Sequence, residues 1–211
     1  MAFAPVQTVS GPASGTGGTR DITVSATTAG NLVVIGVQIL GQTDTLTSVT
    51  DNASGGSNTY VVQAAVNSPS YRSYTVYGFQ VRGGATTLSQ TFSGTANAKR
   101  ELASEFSGFS ASQTNANAFD ATATGSCTGT AAAVSTLTPT ATGKLIYAIC
   151  DNDSGSGFVE GAGFTLYGAH STGTIQGQYK LVGAATETAP FTVTNGGWSE
   201  RANAYTTLLD A

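Results

Sequence analysis

The sequence predicts an all-β chain, and three observations carry that prediction. The longest apolar run is Gly30-Asn31-Leu32-Val33-Val34-Ile35-Gly36-Val37-Gln38-Ile39-Leu40. It is rich in β-branched residues and too short to cross a bilayer as a helix. Bracketed by Gly30 and Gly41, it reads as a central strand buried on both faces. A second run, Gly143-Lys144-Leu145-Ile146-Tyr147-Ala148-Ile149-Cys150, repeats it. Each run follows a Thr-rich lead-in and leads on to an Asp-Asn loop, Asp51-Asn52 or Asp151-Asn152. Finally, short alternating apolar runs recur between clusters of Gly, Ser, Asn and Pro, as strands between turns do.

Composition narrows the class. The 211 residues suffice for one all-β domain with a substantial core. Charged residues make up 9%, far below the roughly 25% of average soluble proteins, so Ser, Thr, Gly, Asn and Gln must cover the surface. The eight Lys and Arg are scattered and the net charge is −4, which gives no electrostatic footprint for nucleic acid. Hydrophobic residues at 40%, in strand-like spacing, argue against disorder. Met1 to Gln7 has no basic and apolar leader pattern, so the expectation is a chain made in the cytoplasm, or one whose leader was replaced. Cys127 and Cys150 are too few for a disulfide framework; one bridge or two buried thiols both fit.

In chain order, residues 3–9 alternate as a first strand, and 11–18 form a Gly-rich loop. Residues 21–26 alternate with Ile22 and Val24 inward. The central run follows, then a short strand at 46–49 and a turn over 51–58. Strands at 60–66 and 71–81 flank a hairpin turn at Ser68-Pro69-Ser70. In the second of these, Tyr71, Ser73, Thr75, Tyr77 and Phe79 share a face, but Tyr74, Val76 and Val81 do not all fall opposite, which predicts a bulge. Residues 86–92 keep Leu88 in phase with Phe92. Residues 100–106 read as strand rather than helix, because their counterpart at 200–208 is rich in Tyr and Thr.

The two halves align in order, loop type and strand type, with Gly30 against Gly143, Tyr77 against Tyr179 and Arg100 against Arg201. The prediction is therefore a jelly-roll-like antiparallel β-sandwich with an internal pseudo-duplication. It forms a single domain over 1–211, with half-repeats at about 20–112 and 131–211 and a connecting arm at 113–130.

Residue types that carry chemistry are sparse. His170 is the lone histidine and reads as a solvated loop residue. Among Glu101, Glu105, Glu160, Glu187 and Glu200, the first two share a strand face, but Lys99 and Arg100 beside them suggest a charge-balanced surface rather than a glycosidase pair. Asp151-Asn152-Asp153-Ser154-Gly155-Ser156-Gly157 is the metal candidate: Asp151 and Asp153 present oxygens at alternate positions, as Ca²⁺ requires. An Asx turn without metal is the competing reading. Tyr60, Tyr71, Tyr74, Tyr77, Tyr167, Tyr179 and Trp198 could form a sugar-stacking face, although core packing needs the same rings. No catalytic residues and no organic cofactor are expected.

The stretch from Thr28 to Leu40, followed by Thr47-Ser48-Val49-Thr50-Asp51-Asn52 and Asn58-Thr59-Tyr60, resembles β-sandwich domains of bacterial surface proteins and tailed-phage virion proteins. In the second half, Asp151-Asn152-Asp153 departs from that turn motif. The resemblance implies a structural or adhesive role. The leading expectation is a non-enzymatic virion protein of a bacteriophage, a capsid decoration (cement) or tail-associated component that binds capsid or tail proteins. Its Gly-rich arms at 11–18 and 113–130 would order against a neighbour, which implies a homo-oligomer and neither a nucleic-acid nor a membrane partner. The alternative expectation is a carbohydrate-binding or adhesin module.

Overall fold

The computed structural model describes residues 3–127, 136–138, 144–152, 158–182, 187–188, 192–193 and 198–206. It is all-β, with no helix among these residues. The first half contains β1 (Ala4–Ser10), β2 (Thr19–Thr23), β3 (Leu32–Leu40), β4 (Leu46–Asp51), β5 (Val61–Val62), β6 (Val66–Asn67), β7 (Tyr71–Gly78), β8 (Thr87–Phe92) and β9 (Lys99–Ser107). The second half contains β10 (Phe119–Cys127), β11 (Thr136–Leu137), β12 (Lys144–Asn152), β13 (Phe158–Val159) and β14 (Thr165–Ala169). It ends with β15 (Ile175–Val182), β16 (Glu187–Thr188), β17 (Thr192–Val193) and β18 (Trp198–Thr206).

The central strand is where the sequence placed it. β3 lies between β9 and β7 in the sheet β1-β9-β3-β7-β5, to which β6 adds by pairing with β7. Leu32 through Ile39 are all buried, so the run is continuous rather than alternating because neither face meets water. The period of two sends its two faces into different cores. Val33, Ile35, Val37 and Ile39 pack with Ile22, Leu46, Val49, Leu88 and Phe92, which cover them from the sheet β2-β8-β4. Leu32 and Val34 pack instead with Leu145, Tyr147 and Ile149 of β12, at the centre of the sheet β10-β18-β12-β15-β14.

The second half repeats the first half's strand order. In each large sheet the first strand of the half pairs with its last, the last with the central strand, and the central strand with a later one. Val34 pairs with Tyr77, and Tyr147 with Tyr179, in line with the alignment of Gly30 on Gly143. Both first strands slip register at the same place: between Pro5 and Gln7 against β9, and between Phe119 and Ala121 against β18. The alignment of Arg100 on Arg201 is two residues out, because Gln38 pairs with Arg100 whereas Asp151 pairs with Ser199. Where the first half has β2-β8-β4, the second has the short pairs β11-β16 and β13-β17.

Two expectations change. The bulge predicted near Tyr74 is absent, since β7 runs in unbroken register from Tyr71 to Gly78. The phase shift comes after the strand, where Gln80 takes a left-handed backbone (φ 51°) and returns Val81 to the core beside Tyr74 and Val76. The stretch at 113–130 is not an arm throughout: residues 119–127 are β10. Its run of Ala, Thr and Gly hides a strand because small side chains leave no apolar alternation to read.

The two large sheets meet closely at one glycine. A Cβ added at Gly36 would lie 2.9 Å from both Cδ1 and Cγ2 of Ile149. Gly36 and Ile149 occupy equivalent positions on β3 and β12, so one half supplies the knob and the other the space. Gly36→Val is expected to destabilise by about 1–3 kcal/mol through overpacking. In urea melts, Ile149→Ala in the same chain should recover part of that loss, as coupled neighbours do.

Candidate functional site

The polar residues with functional potential fall into three groups, and the fold places each differently. The first is a seam between the two large sheets. Period-two alternation puts Gln38 on the β3 face that looks at β12, beside its register partners Ser73 on β7 and Arg100 on β9. From the facing sheet, Asp151 ends the apolar row of Leu145, Tyr147 and Ile149. The Ser73 hydroxyl donates to Asp151 Oδ2, and the Tyr71 hydroxyl donates to the Asp151 carbonyl at 2.7 Å. Gln38 Nε2 donates to the Asn152 carbonyl at 2.7 Å, and its Oε1 accepts from Arg100 Nη1 at 3.0 Å. Asp151 Oδ1 and Arg100 Nε, both shielded from water, have no hydrogen-bond partner among the described residues. Burial pushes the Asp151 carboxyl up to about 7, against the opposing pull of the Ser73 hydroxyl and the Arg100 charge.

Of the two residues assigned to Ca²⁺, Asp151 is fully buried with its carboxyl turned to Ser73, and Asp153 lies outside the described residues. Among the described residues, no three of His, Cys, Asp and Glu come together as a metal site. Cys150 is buried on the opposite face of β12 from Asp151, and the Cys127 side chain lies outside the described residues.

The second group lines the layer between the first half's two sheets. Lys99, Glu101 and Glu105 alternate along β9 and share a face, as their spacing predicts, but that face is buried rather than a charge-balanced surface. The reason is the cover of β2-β8-β4, which the sequence of β9 alone does not reveal. Each charged group is hydrogen-bonded, two of them in ion pairs. Lys99 Nζ lies 2.6 Å from Asp44 Oδ2 and donates to the Gly94 carbonyl at 2.9 Å. The Asp44 carboxyl is held below its usual range first by that Lys99 bond and then by the Asn97 amide. Arg20 forks onto Glu101 through Nε (2.5 Å) and Nη2 (3.1 Å), and also reaches the Pro12 and Ala13 carbonyls. Glu105 accepts from Asn31 Nδ2 (2.6 Å), the Thr28 amide (2.8 Å) and Gln7 Nε2 (2.5 Å). Beside it a cavity of about 10 Å³, lined by Gln7, Val33, Leu88 and Glu105 among others, has room for roughly one water.

These contacts also correct the reading of the first Gly-rich arm, which orders against its own chain. The Gly11 amide donates to the Glu101 carbonyl (2.8 Å), and the Lys99 amide donates to the Gly15 carbonyl (2.9 Å). His170 is buried rather than solvated, with Nε2 3.2 Å from the Pro12 carbonyl and Nδ1 2.8 Å from Thr172 Oγ1. That environment lowers its basicity through burial. The loop and the histidine are 158 residues apart in sequence, so no local signal joins them.

The third group is the turn motif. Asp51 Oδ1 accepts from the Ala53 amide (3.0 Å) and the Asn58 amide (3.2 Å), while Oδ2 accepts from Asn58 Nδ2 (2.6 Å) and the Tyr60 hydroxyl (2.7 Å). Asn52 Oδ1 takes the Thr86 and Thr87 amides at 2.8 and 2.9 Å. Burial raises the Asp51 carboxyl, but these donors outweigh it and leave it below its usual value. The Asp-Asn-to-Tyr spacing thus encodes a self-contained carboxylate clasp.

The aromatic residues considered for sugar stacking pack inside. Tyr71, Tyr74 and Tyr77 are buried, and Tyr60, Tyr167 and Tyr179 are half-buried; the Trp198 side chain lies outside the described residues. Tyr77 stacks on Phe119 at 5.3 Å and meets Tyr205 edge-on at 5.7 Å, which joins the two halves. Phe106 does the same with Tyr147, Tyr167 and Tyr179. No known family, no curated protein and no solved structure matches this chain.

Asp151 and Asp51 predict opposite pH behaviour. Asp151 is raised above its unfolded value near 3.8, so its contribution is full below that value and is lost as pH rises through about 7. Across that window it should reduce the folding equilibrium by up to about tenfold per pH unit, and Asp151→Asn should flatten this slope in melts at stepped pH. Asp51 is lowered, so its contribution holds above about pH 4 and is lost in acid. Asp51→Ala should cost about 1–3 kcal/mol at neutral pH and soften the acid transition in the same melts.

Proposed function

We propose that this chain is a non-enzymatic structural protein of a virion, a capsid decoration or tail-associated component that binds a protein lattice. One observation carries the reading: among the described residues, four buried or half-buried carboxylates that could do chemistry elsewhere are bonded to their own chain. Asp44, Asp51, Glu101 and Glu105 each accept hydrogen bonds from the loops and strands around them, which is what a scaffold asks of them. The nested pairing supports reading the first half as a jelly roll: β1 with β9, β2 with β8 and β3 with β7, closed by β9 on β3 and β8 on β4. The matching strand order and register slips support reading the halves as a duplicated unit. On this reading the protein is made in the host cytoplasm, resides in the virion and takes capsid or tail proteins as partners.

The second reading is a carbohydrate-binding or adhesin module that uses an aromatic face, with or without Ca²⁺. Light scattering with and without EDTA separates the two. A defined oligomer indifferent to EDTA, silent on a glycan array, is the expected result. A monomer that loses stability in EDTA and binds glycans would overturn the virion reading.

A further inference from the structure

We propose that the outer edge of β10 is a self-association surface, which pairs antiparallel with β10 of a second copy of this chain. An open sheet edge offers unpaired amides and carbonyls to any strand that can lie along it, and proteins commonly blunt such edges. Three of the four edges of the large sheets are blunted. β1 carries Pro5, which has no amide hydrogen, and a register slip beside it. β5 and β6 are two residues each. β14 is five residues, with a register break between Leu166 and Ala169 and a left-handed Gly168 (φ 92°) within it.

Of these devices β10 shares only the register slip, which is confined to its first residues, between Phe119 and Ala121. It is nine residues long, and from Ala121 to Cys127 its register against β18 is unbroken. It contains no Pro, Lys, Arg or Glu, and among the described residues β18 is its sole sheet neighbour. Its one charged residue, Asp120, sits in the register slip, outside the unbroken run.

The strand also matches itself. A two-fold axis at Ala123 sets Thr122 beside Thr124 of the second copy, Ala121 beside Gly125 and Asp120 beside Ser126. No like charges meet, and the Thr pair is a favourable cross-strand contact. Thr122 and Thr124 are both exposed, so the pair forms on the open face. This isologous pairing closes at two copies and joins two five-stranded sheets into one.

This inference deepens the scaffold reading but is tested apart from it, because the readout is self-association alone. Sedimentation velocity of the full chain is run over a concentration series, with far-UV circular dichroism to verify the fold. The expected wild-type mass is a dimer. Thr122→Lys with Thr124→Lys places like charges opposite each other and should weaken the dimer on the order of a hundredfold. Thr122→Glu with Thr124→Lys sets acid beside base across the same axis and should restore it. A monomeric wild type, a lysine pair that leaves the mass unchanged, or a mixed pair that dissociates like the lysine pair would each overturn the proposal. A dimer that binds neither capsid nor tail protein would overturn the scaffold role and leave the self-pairing intact.

Discussion

The exclusion of water from both faces of β3 is the constraint on which the rest of the structure depends. A strand in that position must have both backbone edges paired and both rows of side chains packed. β7 and β9 supply the pairing, and the sheets β2-β8-β4 and β10-β18-β12-β15-β14 supply the packing. Because alternate residues serve different cores, one nine-residue strand couples the halves of the chain. The aromatic contacts of Tyr77 and Phe106 with rings of the second half extend the same junction to both sides.

Layering of this kind puts the flanking strands in the interior as well, and β9 carries charges there. Lys99, Glu101 and Glu105 are tolerable because each finds a partner of matching geometry, which a buried charge requires. The partners come from loops: Asp44, Arg20 and the Thr28-to-Asn31 lead-in. The same bonds therefore fix the loops. The Gly-rich stretch at 11–18, which has almost no side chains to hold it, is tied through Arg20, the β9 backbone and His170.

The halves share strand order and register but not side chains at the junction. At equivalent positions stand Gly36 and Ile149, and Gln38 and Asp151. An isoleucine on both sides would overfill the junction, as the Cβ construction at Gly36 shows. Likewise Gln38 is neutral and satisfied by Arg100 and the Asn152 carbonyl, while Asp151 keeps one oxygen without a hydrogen-bond partner among the described residues. Packing two sheets of the same strand order face to face thus requires the two halves to differ where they touch.

By itself the sequence determined the all-β class, the doubly buried run at Leu32 to Ile39, the inward phase of Ile22, Val24, Leu88 and Phe92, and the shared face of Glu101 and Glu105. It also marked 51–58 as a turn, while the grouping of Asp51, Asn58 and Tyr60 in one motif came from the resemblance. These features follow from period-two alternation and turn chemistry, which act over a few residues. The tertiary structure alone decided that the β9 charges are buried, that His170 lies against Pro12 and that Asp151 faces Ser73. It also decided that the small residues of 119–127 form a strand. Each depends on which layer covers a face or which neighbour completes an edge, and that is fixed by contacts between segments far apart in the chain.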